Sequence, residues 1–97
     1  MKAHPVKHVK VEDDAGNLIE IKIWQLHTPS RDKPHGYKYR MAYIVDGVRV
    51  IGYDNSEGKG DHRHYKEKEI AYPFRDIDGL LADFSKDIEY YLRGEKL

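Results

Sequence analysis

Residues 53–65 hold the densest group of side chains able to do chemistry in this chain of 97 residues. They read Tyr-Asp-Asn-Ser-Glu-Gly-Lys-Gly-Asp-His-Arg-His-Tyr. His62 and His64 can accept or donate a proton near neutral pH, because a free imidazole has a pKa of about 6.5. Asp54 can orient one of these rings and stabilise its charged form. We expect these three side chains to converge within reach of a hydrogen bond or of one bridging water.

Cleavage of RNA needs a base for the proton of the 2′-hydroxyl, an acid for the leaving 5′-oxygen, and donors that hold the phosphate. His62 and His64 are predicted to divide the first two roles. Lys59 and Arg63 are predicted to hold the phosphate, together with the backbone amides of the neighbouring glycines. Four further residues are predicted to contact the substrate: Tyr53, Asn55, Arg40 and Tyr65.

The same side chains allow other interpretations. Asp54, His62 and His64 can bind a divalent transition metal, although the pattern supplies no fourth protein ligand. We therefore predict metal-free acid–base chemistry without a cofactor, and we keep a metal-dependent nuclease as an alternative. A further interpretation assigns no function to this segment: the glycines only form a hairpin loop, and the histidines are partly exposed strand residues.

A basic surface gives an alternative from a different class of function. Lys38, Arg40 and Arg49 are predicted on one face of a hairpin together with Tyr53. A basic face that includes an aromatic ring suits single-stranded nucleic acid. An ordinary solvated sheet face has the same composition. A non-catalytic module that binds RNA or a partner protein therefore stays open.

The composition limits the class of protein. Seventeen basic residues balance seventeen acidic ones, which argues against a protein that coats DNA through a strong positive field. There are no cysteines, so disulfides and thiolate metal sites are excluded. The N-terminus lacks the apolar core of a secretory signal, and no apolar run approaches the roughly 20 residues of a membrane span. We expect a single cytoplasmic domain over residues 1–97.

Hydrophobic periodicity predicts an α+β fold. The segments are strands over 6–12, 18–26, 37–45, 48–53 and from 62 towards 72, a loop over 27–36, and a helix over 76–93. Asp76 and Gly94 suit the two ends of the helix, and Asp83 and Asp87 are expected on its solvated side. We expect a small antiparallel sheet of about five strands, made of two sequential hairpins and a histidine-bearing strand, with one C-terminal helix packed on it.

The third and fourth strands carry the clearest local signal. Asp46-Gly47 between two β-rich runs predicts a two-residue hairpin turn. Val45 then pairs with Val48, and strict alternation continues to Tyr39 opposite Asp54, which places Asp54 on the core side. The predicted core face carries Met41, Tyr43, Val45, Val48 and Val50, and the outer face carries Lys38, Arg40, Arg49, Ile51 and Tyr53.

Several motifs taken together resemble a known family. They are Tyr37-Lys38-Tyr39-Arg40, Gly52-Tyr53-Asp54-Asn55, the run from Gly58 to His64, and Leu80-Leu81-Ala82-Asp83-Phe84. This pattern is similar to the TumE-like toxins of prokaryotic toxin–antitoxin modules. The resemblance extends from about Val9 to Ile88, and its most specific part is the Asp-Asn pair followed by the histidine-rich stretch.

The resemblance implies a small growth-inhibiting toxin that is encoded beside a helix-turn-helix antitoxin. Most toxins of such two-protein modules cleave RNA, so the resemblance also implies a ribonuclease with an RNA substrate. The expected partners are therefore RNA and the antitoxin. The sequence does not determine the oligomeric state, and a homodimer stays an open option.

Overall fold

The computed structural model describes residues 3–56, 58 and 60–94. Lys59, which is predicted to bind phosphate, lies outside the described residues. The elements in chain order are β1 (Ala3–Glu12), β2 (Leu18–Leu26), β3 (Tyr37–Val45), β4 (Val48–Asp54), β5 (His62–Tyr65), β6 (Lys68–Ala71) and α1 (Ile77–Leu92). The predicted α+β fold, an antiparallel sheet with a C-terminal helix packed on it, is confirmed.

The six strands follow one another across the sheet in the order of the sequence. The predicted Asp46-Gly47 turn joins β3 to β4, and its two residues have φ angles of 51° and 77°, as a two-residue hairpin turn of this kind requires. The histidine-bearing segment divides into two strands, because the chain turns at Lys66 with a φ angle of 56°. The sheet therefore has six strands, where the sequence predicted about five.

Helix α1 has the predicted ends. Asp76 is the N-cap, and its Oδ1 accepts a hydrogen bond from the amide of Gly79 at 2.6 Å, which satisfies one of the free amides of the first turn. Gly94 follows the C-cap with a φ angle of 74°, as is common where a helix stops. The helix buries Leu80 and Phe84 against one face of the sheet. We call this the helix face, and the opposite one the open face.

The core lies between α1 and the helix face. Its largest fully buried apolar and aromatic side chains are Tyr39, Tyr43, Tyr53, Phe84, Ile23, Met41, Ile51 and Leu80. Burial of one large apolar side chain stabilises a fold by roughly 1.5–3 kcal/mol, so these residues hold the helix on the sheet. Within the described ranges, no helix combines the length and the apolar character needed to cross a membrane.

The predicted pairing of β3 with β4 holds only next to the turn. Val45 pairs with Val48 as predicted, but Tyr43 pairs with Ile51 rather than with Val50. A β-bulge leaves Val50 as an extra residue, and every later pair is shifted by one position. The predicted core position of Val48 is also wrong, since this side chain is 60% exposed beside the turn.

Because of the bulge, the side chains in the second half of β4 project from the side of the sheet opposite to the predicted one. Ile51 and Tyr53, which were predicted on the outer face, are fully buried in the core. Asp54 pairs with Arg40, and directly opposite residues project from the same side of a sheet. Asp54 therefore lies on the open face, and its predicted position on the core side is wrong because a one-residue shift reverses every side chain.

Candidate active site

Asp54, His62 and His64 lie together on the open face of β4 and β5. His62 pairs with Asp54, and His64 pairs with Gly52, so the three side chains project from the same side. One possible ligand atom from each side chain lies within 4.8 Å of the other two. The imidazole rings have centroids 5.1 Å apart and cross at 78°. The predicted convergence is confirmed, and the catalytic role of these residues stays a prediction.

The ring of His62 is held from two sides and is 4% exposed. Its Nδ1 lies 3.1 Å from the carbonyl oxygen of Gly60. A carbonyl only accepts, so we assign a proton to Nδ1. Nε2 lies 3.2 Å from Asp54 Oδ1 but lacks the alignment of a hydrogen bond. In the neutral ring a lone pair faces a carboxylate, and a proton or a cation at Nε2 relieves this repulsion.

His64 has fewer partners. Its Nε2 is buried without a hydrogen bond to any described residue, although Glu69 Oε2 on β6 lies 3.5 Å away. Burial lowers the pKa of His64, and the nearby guanidinium of Arg49 lowers this pKa further. The ring is therefore mainly neutral near pH 7, and one of its nitrogens keeps an available lone pair.

Two arginines flank this cluster. Arg49 lies across Gly52, where an added Cβ would approach the Cδ atom of Arg49 to 3.0 Å. Arg40 is the cross-strand neighbour of Asp54. In the part of the chain that the structure describes, neither arginine forms an ion pair. Both line a groove on the open face, together with Glu20, Lys22, Ala42 and Ile44.

Two of the predicted substrate contacts lie on the helix face instead. Tyr53 is fully buried, and its hydroxyl donates to Asp87 Oδ2 at 2.5 Å. Arg63 donates to the same oxygen at 2.6 Å. Burial raises the pKa of Asp87, and the bonds from Tyr53 and Arg63 partly oppose this rise. The prediction that Asp87 is solvated is wrong, since the residue is 3% exposed.

The structure places Tyr65 and Asn55 away from the open face as well. Tyr65 packs near Tyr91 of α1, with ring centroids 6.4 Å apart. Asn55 is completely buried. Its Oδ1 accepts from the amide of Tyr39 at 3.0 Å, and its Nδ2 donates to the carbonyl of Tyr37 at 2.8 Å. Asn55 therefore ties the end of β4 to the start of β3.

We expect Asn55→Ala to lower the free energy of unfolding by about 1–3 kcal/mol, because it leaves two backbone groups of β3 without their partner. The control is Ser56→Ala at the next position, which is exposed and should change this free energy by less than about 0.5 kcal/mol. Urea unfolding followed by circular dichroism measures both values. Wild-type stability of Asn55→Ala would contradict the structural role.

Sequence reasoning missed a second polar network beside the site. Asp61, directly before β5, accepts from the hydroxyl of Tyr39 at 2.7 Å and lies 2.9 Å from His35 Nε2. His35 stacks on Phe74, with ring centroids 3.9 Å apart. These residues hold the loop after β2 against the start of β5. They come from distant parts of the chain, so no spacing in the sequence connects them.

Comparisons with known proteins bear on the identity of the chain. A family model described as Toxin TumE matches residues 2–92, which is nearly the whole length. A search of curated proteins and a search of solved structures each returned no match. The resemblance stated from the motifs is thereby confirmed. The chain belongs to the TumE toxin family and is the toxin component of a toxin–antitoxin system, with an antitoxin as its partner.

Proposed function

We propose that this toxin is a ribonuclease that cleaves RNA by metal-independent acid–base chemistry on the open face of the sheet. The observation that supports this proposal is the convergence of Asp54, His62 and His64. Two arginines without ion pairs among the described residues flank these groups. Proton-transfer groups and anion-binding groups thus adjoin each other on a face that the helix does not cover, as phosphodiester cleavage needs.

In the proposed reaction His64 acts as the base, because its Nε2 has no hydrogen-bond partner among the described residues. It takes the proton of the 2′-hydroxyl while the 2′-oxygen attacks phosphorus. The bond from phosphorus to the 5′-oxygen breaks, and His62 donates a proton from Nε2 to that leaving oxygen. Asp54 Oδ1 lies 3.2 Å from this nitrogen and orients the ring of His62. The products carry a 2′,3′-cyclic phosphate and a 5′-hydroxyl.

Arg49 and Arg40 are the proposed phosphate ligands, in place of Arg63, which is bonded to Asp87. The Nε2 atoms of both histidines are buried, so RNA reaches them only when a neighbouring side chain moves. Arg49 can make this movement, because its long flexible side chain lies over Gly52 next to His64. A guanidinium that turns onto a phosphate gains charge-assisted hydrogen bonds and uncovers the histidines.

The test uses purified protein without a tag, in the presence of a chelator, on single-stranded RNA and on DNA of the same sequence. We expect cleavage of the RNA with cyclic phosphate and 5′-hydroxyl ends, as resolved by mass spectrometry. The DNA stays intact because it lacks the attacking 2′-hydroxyl. Cleavage of the DNA, or failure of the folded protein to cleave any RNA in a total cellular extract, would refute this proposal.

Arg49→Ala is expected to raise KM for RNA by about 10- to 150-fold with little change in kcat, since a charged hydrogen bond contributes about 1.5–3 kcal/mol. Arg31→Ala is the matched control, because Arg31 is exposed in the loop after β2. Steady-state cleavage kinetics at two salt concentrations measure both variants. A fall in kcat alone would instead place Arg49 in the chemical step.

The second candidate function is a non-catalytic RNA-binding module, which the groove lined by Lys22, Arg40 and Arg49 favours. This candidate predicts that RNA is retarded on a gel without being cut. It also predicts that Arg40→Glu with Arg49→Glu abolishes toxicity, whereas histidine variants stay toxic. The ribonuclease proposal predicts loss of toxicity in both sets of variants, so the histidine variants separate the two candidates.

The nature of the antitoxin is a separate part of the proposal. We infer a helix-turn-helix antitoxin that is encoded by the neighbouring gene and acts with the toxin in the cytoplasm, as the family membership suggests. Co-expression of the neighbouring gene should restore growth, and the protein that it encodes should co-purify with this chain. Size-exclusion chromatography of the toxin alone tests whether it forms a homodimer.

A further inference from the structure

We propose that Asp54, His62 and His64 form a binding site for one divalent transition-metal ion of the Zn²⁺ class. The three side chains offer two imidazole nitrogens and one carboxylate oxygen, and these atoms lie within 4.8 Å of one another. An ion bound at about 2.1 Å from each ligand places tetrahedral ligand atoms about 3.4 Å apart. Ligand atoms that lie up to 4.8 Å apart would therefore have to approach each other by up to about 1.4 Å when an ion binds.

A second observation points to a cation at the same place. The Nε2 atoms of His62 and His64 are both buried and lack a hydrogen bond to the described residues. Leaving such a buried polar atom without a partner costs about 1–3 kcal/mol. Asp54 Oδ1 lies 3.2 Å from Nε2 of His62, so a negative charge faces an unpartnered lone pair. A divalent cation between these atoms satisfies all three groups.

The backbone also orients His62 in the way that metal-binding histidines are usually held. Its Nδ1 donates to the carbonyl oxygen of Gly60 at 3.1 Å, which leaves Nε2 as the atom that coordinates. Histidines that bind metals commonly donate their other ring N–H to a backbone carbonyl, because this fixes both the ring and its tautomer.

The ligand types select the class of ion. Imidazole nitrogens favour Zn²⁺ and neighbouring transition metals, whereas Mg²⁺ and Ca²⁺ favour sets made only of oxygen ligands. Three protein ligands leave at least one coordination position for another group. Glu69 can supply a fourth ligand from β6, since its Oε2 lies 3.5 Å from His64 Nε2.

This inference does not rest on the proposed ribonuclease activity, but it concerns the same atoms. A bound ion occupies the Nε2 lone pairs through which the proposed proton transfers pass. Metal binding and metal-free cleavage therefore compete with each other at this site. We expect Zn²⁺ to inhibit the cleavage that is seen in the presence of a chelator.

The test titrates untagged, chelator-stripped protein with Co²⁺ and records the visible absorption of the ion, followed by displacement with Zn²⁺. We expect one ion per chain, and a rise in the temperature of thermal unfolding with Zn²⁺. His64→Gln and Asp54→Asn should weaken binding at least about 100-fold, given that even groups that only support ligands contribute 10–100-fold. His27→Ala is the control, because His27 is exposed and lies in the loop after β2.

Absence of a Co²⁺ spectrum, or equal binding by wild type and by folded His64→Gln, would overturn the metal site and leave the ribonuclease proposal standing. If wild type binds Co²⁺, His64→Gln does not, and wild type cleaves RNA in the presence of the chelator, the metal site and the metal-free ribonuclease are both supported. If wild type binds Co²⁺, His64→Gln does not, and wild type cleaves RNA only after metal is added, the metal site is supported and the metal-free mechanism is overturned.

Discussion

Replacing both His62 and His64 by alanine is expected to abolish the growth inhibition caused by this toxin when it is expressed without its antitoxin. A general acid or base typically contributes about 100- to 10,000-fold to a rate. Under the proposed ribonuclease mechanism, each single alanine variant should therefore slow RNA cleavage at least about 100-fold. The double variant should lose less rate than the product of the two single losses, because groups that act in one reaction step are not independent. Colony counts after induction and cleavage rates of purified protein measure the effect.

Loss of toxicity has to be separated from loss of folding, because His62 is only 4% exposed. His64→Gln provides that separation, since it keeps most of the side-chain volume and removes the proton acceptor. His27→Ala, at an exposed position of the loop after β2, should stay fully toxic. A folded double alanine variant that remains as toxic as wild type would show that these histidines are not the catalytic pair.

The sequence predicts those parts of the fold that depend on local patterns. The Asp46-Gly47 turn follows from two residues that tolerate positive φ angles. Helix α1 follows from its apolar periodicity, from Asp76 as N-cap and from Gly94 beyond its end. The convergence of Asp54 with the two histidines also follows, since they come from neighbouring strands joined by a short connection. Each of these features needs only residues that are close together in the chain.

The sequence does not predict the bulge at Val50, because alternation along β4 is equally regular with and without an extra residue. Tertiary packing decides between the two registers. The bulge buries Ile51 and Tyr53 under α1, whereas strict alternation buries only the smaller Val50 and Gly52. The face of Asp54 depends on that choice, so the proximity of Asp54 to the two histidines could be predicted from the sequence, but their side of the sheet could not.

The buried polar contacts of the helix face are also hidden from the sequence. Asp87 lies on the same face of α1 as the buried Leu80 and Phe84. Tyr53 and Arg63 on neighbouring strands both donate to it. A periodicity argument assigns apolar residues to the buried face of a helix and charged residues to the solvated face, so it predicts that an aspartate is exposed. The partner strands are more than twenty residues away, so no local signal reports the pairing.

Asp87→Ala is expected to lower the free energy of unfolding by about 2–4 kcal/mol, because it leaves the guanidinium of Arg63 without its partner in a partly buried position. It also removes the acceptor of the buried hydroxyl of Tyr53. Glu89→Ala is the control, since Glu89 is exposed on the same helix. Urea unfolding by circular dichroism measures both, and a small effect of Asp87→Ala would show that the ion pair adds little to stability.

The contribution of Asp87 to the free energy of unfolding depends on pH, because the pKa of this residue is raised in the native state. The native state binds a proton at Asp87 more readily than the unfolded state, whose pKa is near the ordinary value of about 3.9. The stability contributed by this group is therefore fully present below the unfolded pKa and falls as pH rises through the native pKa. Tyr53, Arg63 and Asp83 all influence that native pKa, and burial dominates it.

A comparison of wild type with Asp87→Asn isolates this effect, because asparagine resembles the protonated acid and does not titrate. We expect the advantage in unfolding free energy of wild type over Asp87→Asn to be larger near pH 4 than near pH 7. An advantage that instead grows towards pH 7 would mean that the attraction of Arg63 outweighs burial. Asp87 would then hold the helix on the sheet chiefly as an anion rather than as a buried hydrogen-bonding group.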